Sequence, residues 1–159
     1  MSKTCLITGG ARGIGFETAH LAAQSGWDIA IVYRERSAAA ERAVAAIKAL
    51  GRNAMAVRAD VAVKKEIVAA FAAIDQAMSP IAGVVNSAGI NAHGRVQDLV
   101  GDDLRRMFDI NVTGLMLCCR EAARRMSTKR GGAGGAIVNI SSMAATIGGR
   151  PGSSTYAAS

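Results

Sequence analysis

Aromatic residues are scarce, with three Phe, two Tyr and one Trp among 159 residues, so a core must be built from Ala, Val, Ile, Leu and Met. Cysteine is scarce as well. Cys5, Cys118 and Cys119 have neither the spacing of a disulfide framework nor that of zinc ligands. They read as packing groups in a reducing compartment, and no metal site is expected. No apolar run approaches membrane-spanning length, and the N-terminus lacks a charged segment followed by an apolar one. A cytoplasmic protein with no membrane partner is therefore expected. Acidic residues are outnumbered, 12 against 19 basic, for a formal charge of +7. The basic residues fall in short groups (Arg34 and Arg36, Lys64 and Lys65, Arg105 and Arg106, Arg124 to Arg130), mostly at helical spacing opposite apolar residues. That is the pattern of solvated helix faces. No nucleic-acid-binding motif accompanies it, so no nucleic-acid partner is expected.

What is present is an ordinary globular composition, half apolar and 19% charged, long enough for one domain over residues 1–159. Short β-type runs alternate with longer helical ones. Strands are expected at Lys3–Thr8, Asp28–Tyr33, Asn53–Ala59, Ile81–Asn86 and Ala136–Ser141. Between them, the helix Gly13–Ser25 carries Ile14, Thr18, Leu21, Ala22 and Ser25 on one face. The helix Ser37–Leu50 carries Ala40, Val44 and Ile47, and Val61–Met78 carries Ile67, Phe71, Ile74 and Met78. A long helix spans Gly101–Met126. Repeated βαβ units with right-handed crossovers predict a doubly wound parallel α/β sheet, a Rossmann fold covered on both faces.

Chemistry begins at Thr8-Gly9-Gly10-Ala11-Arg12-Gly13-Ile14-Gly15, where the first strand passes through glycines into the first helix. Unobstructed N–H groups at a helix N-terminus form an anion site suited to a pyrophosphate, and glycine is needed where a Cβ would strike ligand or strand. The spacing is G-x-x-x-G-x-G, without the Lys-Ser/Thr ending of a nucleoside-triphosphate loop. In this the chain resembles the short-chain dehydrogenase/reductase family, whose T-G-x-x-x-G-[IL]-G signature Thr8–Gly15 reproduces. The resemblance continues in order. Asp60-Val61 is similar to the family's adenine-contacting pair, although Asp60 could equally cap the third helix. Asn86-Ser87-Ala88-Gly89 resembles its N-N-A-G motif, departing at Ser87. There Asn86 could instead tie strands together, while Ala88 and Gly89 leave room for a ribose or nicotinamide. Asn111, Ser142 and Tyr156 fall where the family's catalytic residues lie.

The resemblance implies a nicotinamide dinucleotide bound by Gly9, Arg12, Gly13, Ile14, Gly15, Tyr33, Arg34, Asp60, Val61, Asn86, Ala88 and Gly89. An NAD-preferring site places a carboxylate about 20 residues past the glycine loop. Here the second strand ends Val32-Tyr33-Arg34. Arg34 and Arg12 converging on a 2′-phosphate favour NADP over NAD, with Glu35 a competing partner and solvated loop charges the alternative.

The resemblance further implies hydride transfer to or from a carbonyl or alcohol substrate, a ketone, sugar or 3-oxoacyl compound. Tyr156 is the expected proton donor and Ser142 the expected holder of the substrate oxygen. Their spacing is one residue longer than the family's, so either the loop Thr146–Ser154 absorbs a residue or Ser141 shares the role. Asn111 is expected on the apolar face of the long helix, in line with Leu104, Phe108, Leu115 and Cys118, as a kink positioning a proton relay. The family's Y-x-x-x-K motif places its lysine one residue beyond Ser159, so the resemblance implies a parent protein that continues. A chain ending at Ser159 would bind cofactor poorly and catalyse little. A second face of the long helix, with Met107, Val112, Met116 and Cys119, predicts a homodimer or homotetramer. A non-catalytic dinucleotide sensor, an inactive fragment or a methyltransferase of related fold are the competing readings. The Ser–Tyr–Asn set argues against the sensor, and the ordered Ser and Tyr against the methyltransferase.

Overall fold

A computed structural model describes residues 2–159. The strands are β1 (Thr4–Thr8), β2 (Asp28–Tyr33), β3 (Ala54–Arg58), β4 (Ile81–Asn86) and β5 (Ala136–Asn139). They form one parallel sheet in the order β3-β2-β1-β4-β5. The helices are α1 (Gly13–Gln24), α2 (Ser37–Ala49), α3 (Lys64–Ala77), α4 (Gly101–Phe108), α5 (Leu115–Met126), α6 (Ala144–Ile147) and α7 (Ser154–Ala158).

The period-2 alternation of the strands sorts the core into two layers. Leu6, Ala30, Val32 and Val84 pack under α3 and α5 through Ile67, Phe71, Ile74, Cys118 and Ala122. Cys5, Ile7, Ile29, Ile31 and Val85 pack under α1 and α2 through Ala19, Ala23, Ala43 and Ile47. This is the expected doubly wound arrangement. β5 is the edge strand of the described residues, and all four of its residues are exposed; α6, which follows it, packs on α7.

Three readings of helices need correction. The sheet-facing side of α1 is Gly15, Ala19 and Ala23, not the face centred on Ile14 and Leu21, which are 63% and 61% exposed. Small side chains let the helix lie close on the strands, and volume outweighs hydrophobicity in choosing the face. The third helix starts at Lys64 rather than Val61. The Asp60 carboxylate accepts the Ala62 N–H at 2.9 Å and the Asp60 carbonyl accepts the Val63 N–H at 2.9 Å, closing a turn ahead of the helix. The long helix is interrupted by a π-helical turn, Asp109–Gly114. The residue added there rotates α4 against α5 by about 100°. Met107, expected on an outer face, is thereby fully buried, while Ile110, Gly114, Cys118, Ala122 and Met126 face inward.

At the end of the sheet remote from the glycine loop, the 1%-exposed Asp28 is enclosed by donors. Its carboxylate accepts from Ser2 Oγ at 2.5 Å, Arg52 Nη2 at 2.9 Å and the Asn53 N–H at 3.0 Å. Burial opposes ionisation, but these hydrogen bonds and the Arg52 charge outweigh it and hold the carboxyl below its usual range. A depressed folded-state pKa stabilises the fold above the unfolded value of about 3.9 and is lost as pH falls through the folded value. Asp28→Asn is accordingly expected to lower stability by about 3 kcal/mol at neutral pH. In urea titrations run at descending pH, its deficit against the parent protein should narrow below about pH 4. A pH-independent deficit would contradict this.

Candidate functional site

The strand order reverses between β1 and β4, since β2 and β3 lie to one side of β1 and β4 and β5 to the other. Ligands of open α/β sheets bind outside the carboxyl ends of strands at such a switch point. Here those ends are held together directly. Thr8 is level with Asn86, and Thr8 Oγ1 accepts the N–H groups of Ser87 and Ala88, each at 3.1 Å. A Cβ on Gly9 would lie 3.0 Å from Ala88 Cα, and one on Gly15 only 2.5 Å from the Gly9 carbonyl oxygen. Glycine lets the loop, the helix and the β4 turn close on one another. Thr8, a member of the signature not expected to act by itself, is the bolt between the two loops.

The first hydrogen bond within α1 runs from the Phe16 N–H to the Arg12 carbonyl, so the N–H groups of Gly13, Ile14 and Gly15 have no partner in the helix. Arg12 supplies no side-chain cap, and the first turn carries no acid. A Cβ on Gly13 would meet nothing within 4 Å. This uncapped, positively polarised and unobstructed helix end fits a pyrophosphate. Exposed Ile14 stands beside it. Val96 and Val100 after β4, Met143 after β5 and Ile147 at the end of α6 are exposed at the same end of the sheet, the apolar mouth typical of a small-molecule site.

At the ends of β2 and β3 a cavity of about 390 Å³ is lined by Arg34, Glu35, Arg58, Asp60, Glu66 and Arg106. Half-buried Tyr33 stands level with Arg58. Arg34 pairs with Glu35 at 2.6 Å and lies 4.0 Å from Asp60, which Arg106 contacts at 2.5 Å. Arg58 Nε donates to the Arg34 carbonyl at 3.1 Å. Burial raises the Asp60 carboxyl, but bonding from Arg106 and the Ala62 N–H, with the charges of Arg106 and Arg34, holds it below its usual range. Arg12 does not line this cavity. The convergence expected of Arg12 and Arg34 is one of Arg34 with Arg58 and Arg106. Strand pairing is the signal that could have found Arg58; no local signal marks Arg106.

Asn86 is buried and ties β4 to β5, its Nδ2 donating to Asn139 Oδ1 at 2.9 Å. Asn111 sits in the π turn with its amide satisfied on both sides. Oδ1 accepts the Ile90 N–H at 2.9 Å, and Nδ2 donates to the Ile90 carbonyl and to Ser159 Oγ, both at 2.9 Å. A Cβ on Gly89 would stand 3.4 Å from that Oδ1. Asn111 thus joins the loop after β4 to the end of α7, the helix that carries half-buried Tyr156. Ser142 lies in the turn after β5, its Oγ accepting the Ala144 N–H at 3.2 Å. All three residues stand at the carboxyl end of the sheet, Asn111 tied to the tyrosine helix directly. No hydrogen bond joins Ser142 to Tyr156 among the described residues. Burial pushes the thiols of Cys5 and Cys118 up to about 11 and 12, with Cys119 and Glu121 adding to the shift at Cys118, so both remain neutral packing groups. No helix of the described residues is long and apolar enough to cross a membrane.

A model of the short chain dehydrogenase family matches residues 3–159. An uncharacterized oxidoreductase of Escherichia coli strain K12, YgfF, is 45% identical over 144 residues, covering 90% of this chain and 58% of the relative. Among solved structures, a short-chain dehydrogenase from Burkholderia cenocepacia in complex with NADP is 36% identical with a TM-score of 0.89, over 98% of this chain and 62% of that one. An NAD+-bound xylitol dehydrogenase is 32% identical with a TM-score of 0.90, over 98% and 58%. The chain therefore spans about six tenths of the length of the relatives it matches.

Proposed function

The chain belongs to the short-chain dehydrogenase family, and from that premise we propose that the whole protein is an NADP-dependent oxidoreductase acting on the carbonyl or alcohol of a small ketone, sugar or 3-oxoacyl substrate. The observation that carries the reading is the cradle at the switch point, where three unpartnered N–H groups and a cleared helix end stand beside the turn that Thr8 bolts in place. Gly9, Gly13, Ile14 and Gly15 hold the pyrophosphate, Asp60 and Val61 the adenine, and Ala88 and Gly89 the nicotinamide side. NADP(H), when bound, supplies or accepts the hydride.

Ser142 donates a hydrogen bond to the substrate oxygen. The Tyr156 phenol delivers a proton to that oxygen in reduction and takes it back in oxidation. Asn111 fixes the tyrosine helix against the loop after β4. A cytoplasmic homodimer or homotetramer is part of the same reading; Met116, 61% exposed on α5, supports an outer face available to a second copy.

The choice of NADP rests on the end of β2, where Tyr33-Arg34 stands in place of a strand-terminal carboxylate and Arg34 shares a cavity with Arg58 and Arg106, alongside Glu35, Asp60 and Glu66. The pair of Arg34 with Glu35 is exposed on both sides, and such pairs contribute about 1 kcal/mol at most. A 2′-phosphate therefore competes for the guanidinium easily. Arg34→Asp in the whole protein should weaken NADPH binding by about ten-fold or more and leave NADH binding unchanged or improved. Nicotinamide fluorescence titrations of both cofactors read this directly, and unchanged NADPH affinity would contradict it.

A further inference from the structure

Two cationic side chains are left over at the substrate end of the sheet. The loop after β4 and the loop before α7 are stapled together by the Gly94 N–H, which donates to the Gly152 carbonyl at 2.9 Å. A contact of 3.3 Å between Ser153 Oγ and His93 Nδ1 adds a second staple. Between the loops lies a cavity of about 480 Å³ whose lining includes Gly94, Arg95, Gly148, Gly149, Arg150 and Ser154. The cavity is open to solvent, and both Arg95 and Arg150 are exposed on its wall.

Ser154 opens α7 two residues before Tyr156, so the cavity adjoins the helix of the proposed proton donor. It shares no lining residue with the cavity of Arg34 and Arg106, and so is separate from the site where the cofactor's 2′-phosphate is proposed to bind.

Arg34, Arg52, Arg105, Arg106, Arg120, Arg124 and Arg125 each pair with a carboxylate. Arg95 and Arg150 form no ion pair among the described residues, as is true also of Arg12, Arg36, Arg42, Arg58 and Arg130. What sets Arg95 and Arg150 apart is that both line this one cavity, and Asp98, the acid nearest Arg95 in sequence, does not engage it. Two unneutralised guanidinium groups on the wall of one cavity repel each other, and an anion between them relieves the repulsion and accepts hydrogen bonds from both. The surrounding glycines leave the space clear. We propose that the substrate of this protein carries an anionic group, a carboxylate or a phosphate, which Arg95 and Arg150 clamp while its carbonyl is presented to Tyr156.

This deepens the oxidoreductase reading and rests on it for the carbonyl. The test uses matched pairs on the whole protein saturated with NADP+, which cannot reduce them. Acetoacetate is set beside methyl acetoacetate for the carboxylate, and dihydroxyacetone phosphate beside dihydroxyacetone for the phosphate. Calorimetry is expected to show one charged member binding about ten-fold or more tighter than its neutral counterpart, and which pair responds identifies the anion. In the double variant Arg95→Ala/Arg150→Ala that advantage should fall to about two-fold or less. Equal binding of charged and neutral members in both pairs, or an advantage that survives the double variant, overturns the proposal. NADPH consumption in parallel mixtures containing NADPH reports the underlying reading separately. A charge preference in binding with no turnover contradicts only the oxidoreductase reading, whereas turnover without charge preference contradicts only the clamp.

Discussion

Tyr156→Phe in the whole protein is expected to lower turnover by about 10²–10⁴-fold with NADPH affinity changed by no more than about two-fold. The hydroxyl is the only group removed. The ring keeps its half-buried place on α7, and the ties of that helix to Asn111 through Ser159 Oγ and to the loop after β4 do not involve the phenol. Loss of a proton donor acts on the transition state and not on cofactor binding, so the effect belongs in kcat and kcat/KM together. A control separates this from a structural effect: the melting temperature should stay within about 2 °C of the parent, as for a conservative change that opens no cavity. Near-parental turnover on a substrate the parent accepts would make the tyrosine structural and remove the mechanism proposed for it.

How far the sequence could be read depended on how local each determinant is. Strands β2 and β4 fall on their expected limits, Asp28–Tyr33 and Ile81–Asn86, because a buried parallel strand is a short apolar run that nothing distant can disguise. The buried face of α1 has no apolar signature because Gly15 closes on Gly9 and the small side chains of Ala19 and Ala23 pack on the strands, leaving Ile14 outside. The π turn at Asp109–Gly114 has no propensity signature. It accompanies the bonding of Asn111 to Ile90 and Ser159, partners 21 and 48 residues away, and with it Met107 moved from an expected outer face to the core. The glycine loop was legible as a phosphate cradle, whereas Arg58 and Arg106 join Arg34 only through strand register and the packing of α4. Arg95 and Arg150 stand 55 residues apart (150 − 95) and share a cavity only because two loops are stapled.

The central claim is that the N-terminus of α1 holds a dinucleotide's pyrophosphate, and the isosteric pair Gly13→Asp and Gly13→Asn tests it most directly. Gly13 has φ +54° and open space around its Cβ position. Asp and Asn tolerate the left-handed region better than other side chains, so strain and volume cancel between the two variants and only the charge differs. A carboxylate roughly 5 Å from the nearer phosphate charge of a pyrophosphate, at an effective dielectric constant of about 20, opposes it by about 3 kcal/mol. The same carboxylate complements the positive end of the free helix by a few tenths of a kcal/mol or more. Binding and stability should therefore move in opposite directions. In paired fluorescence titrations and thermal melts, Gly13→Asp should bind NADPH about 100-fold more weakly than Gly13→Asn while melting at an equal or higher temperature. Equal NADPH affinity in the two variants would contradict a pyrophosphate at this helix end, and with it the account of the site.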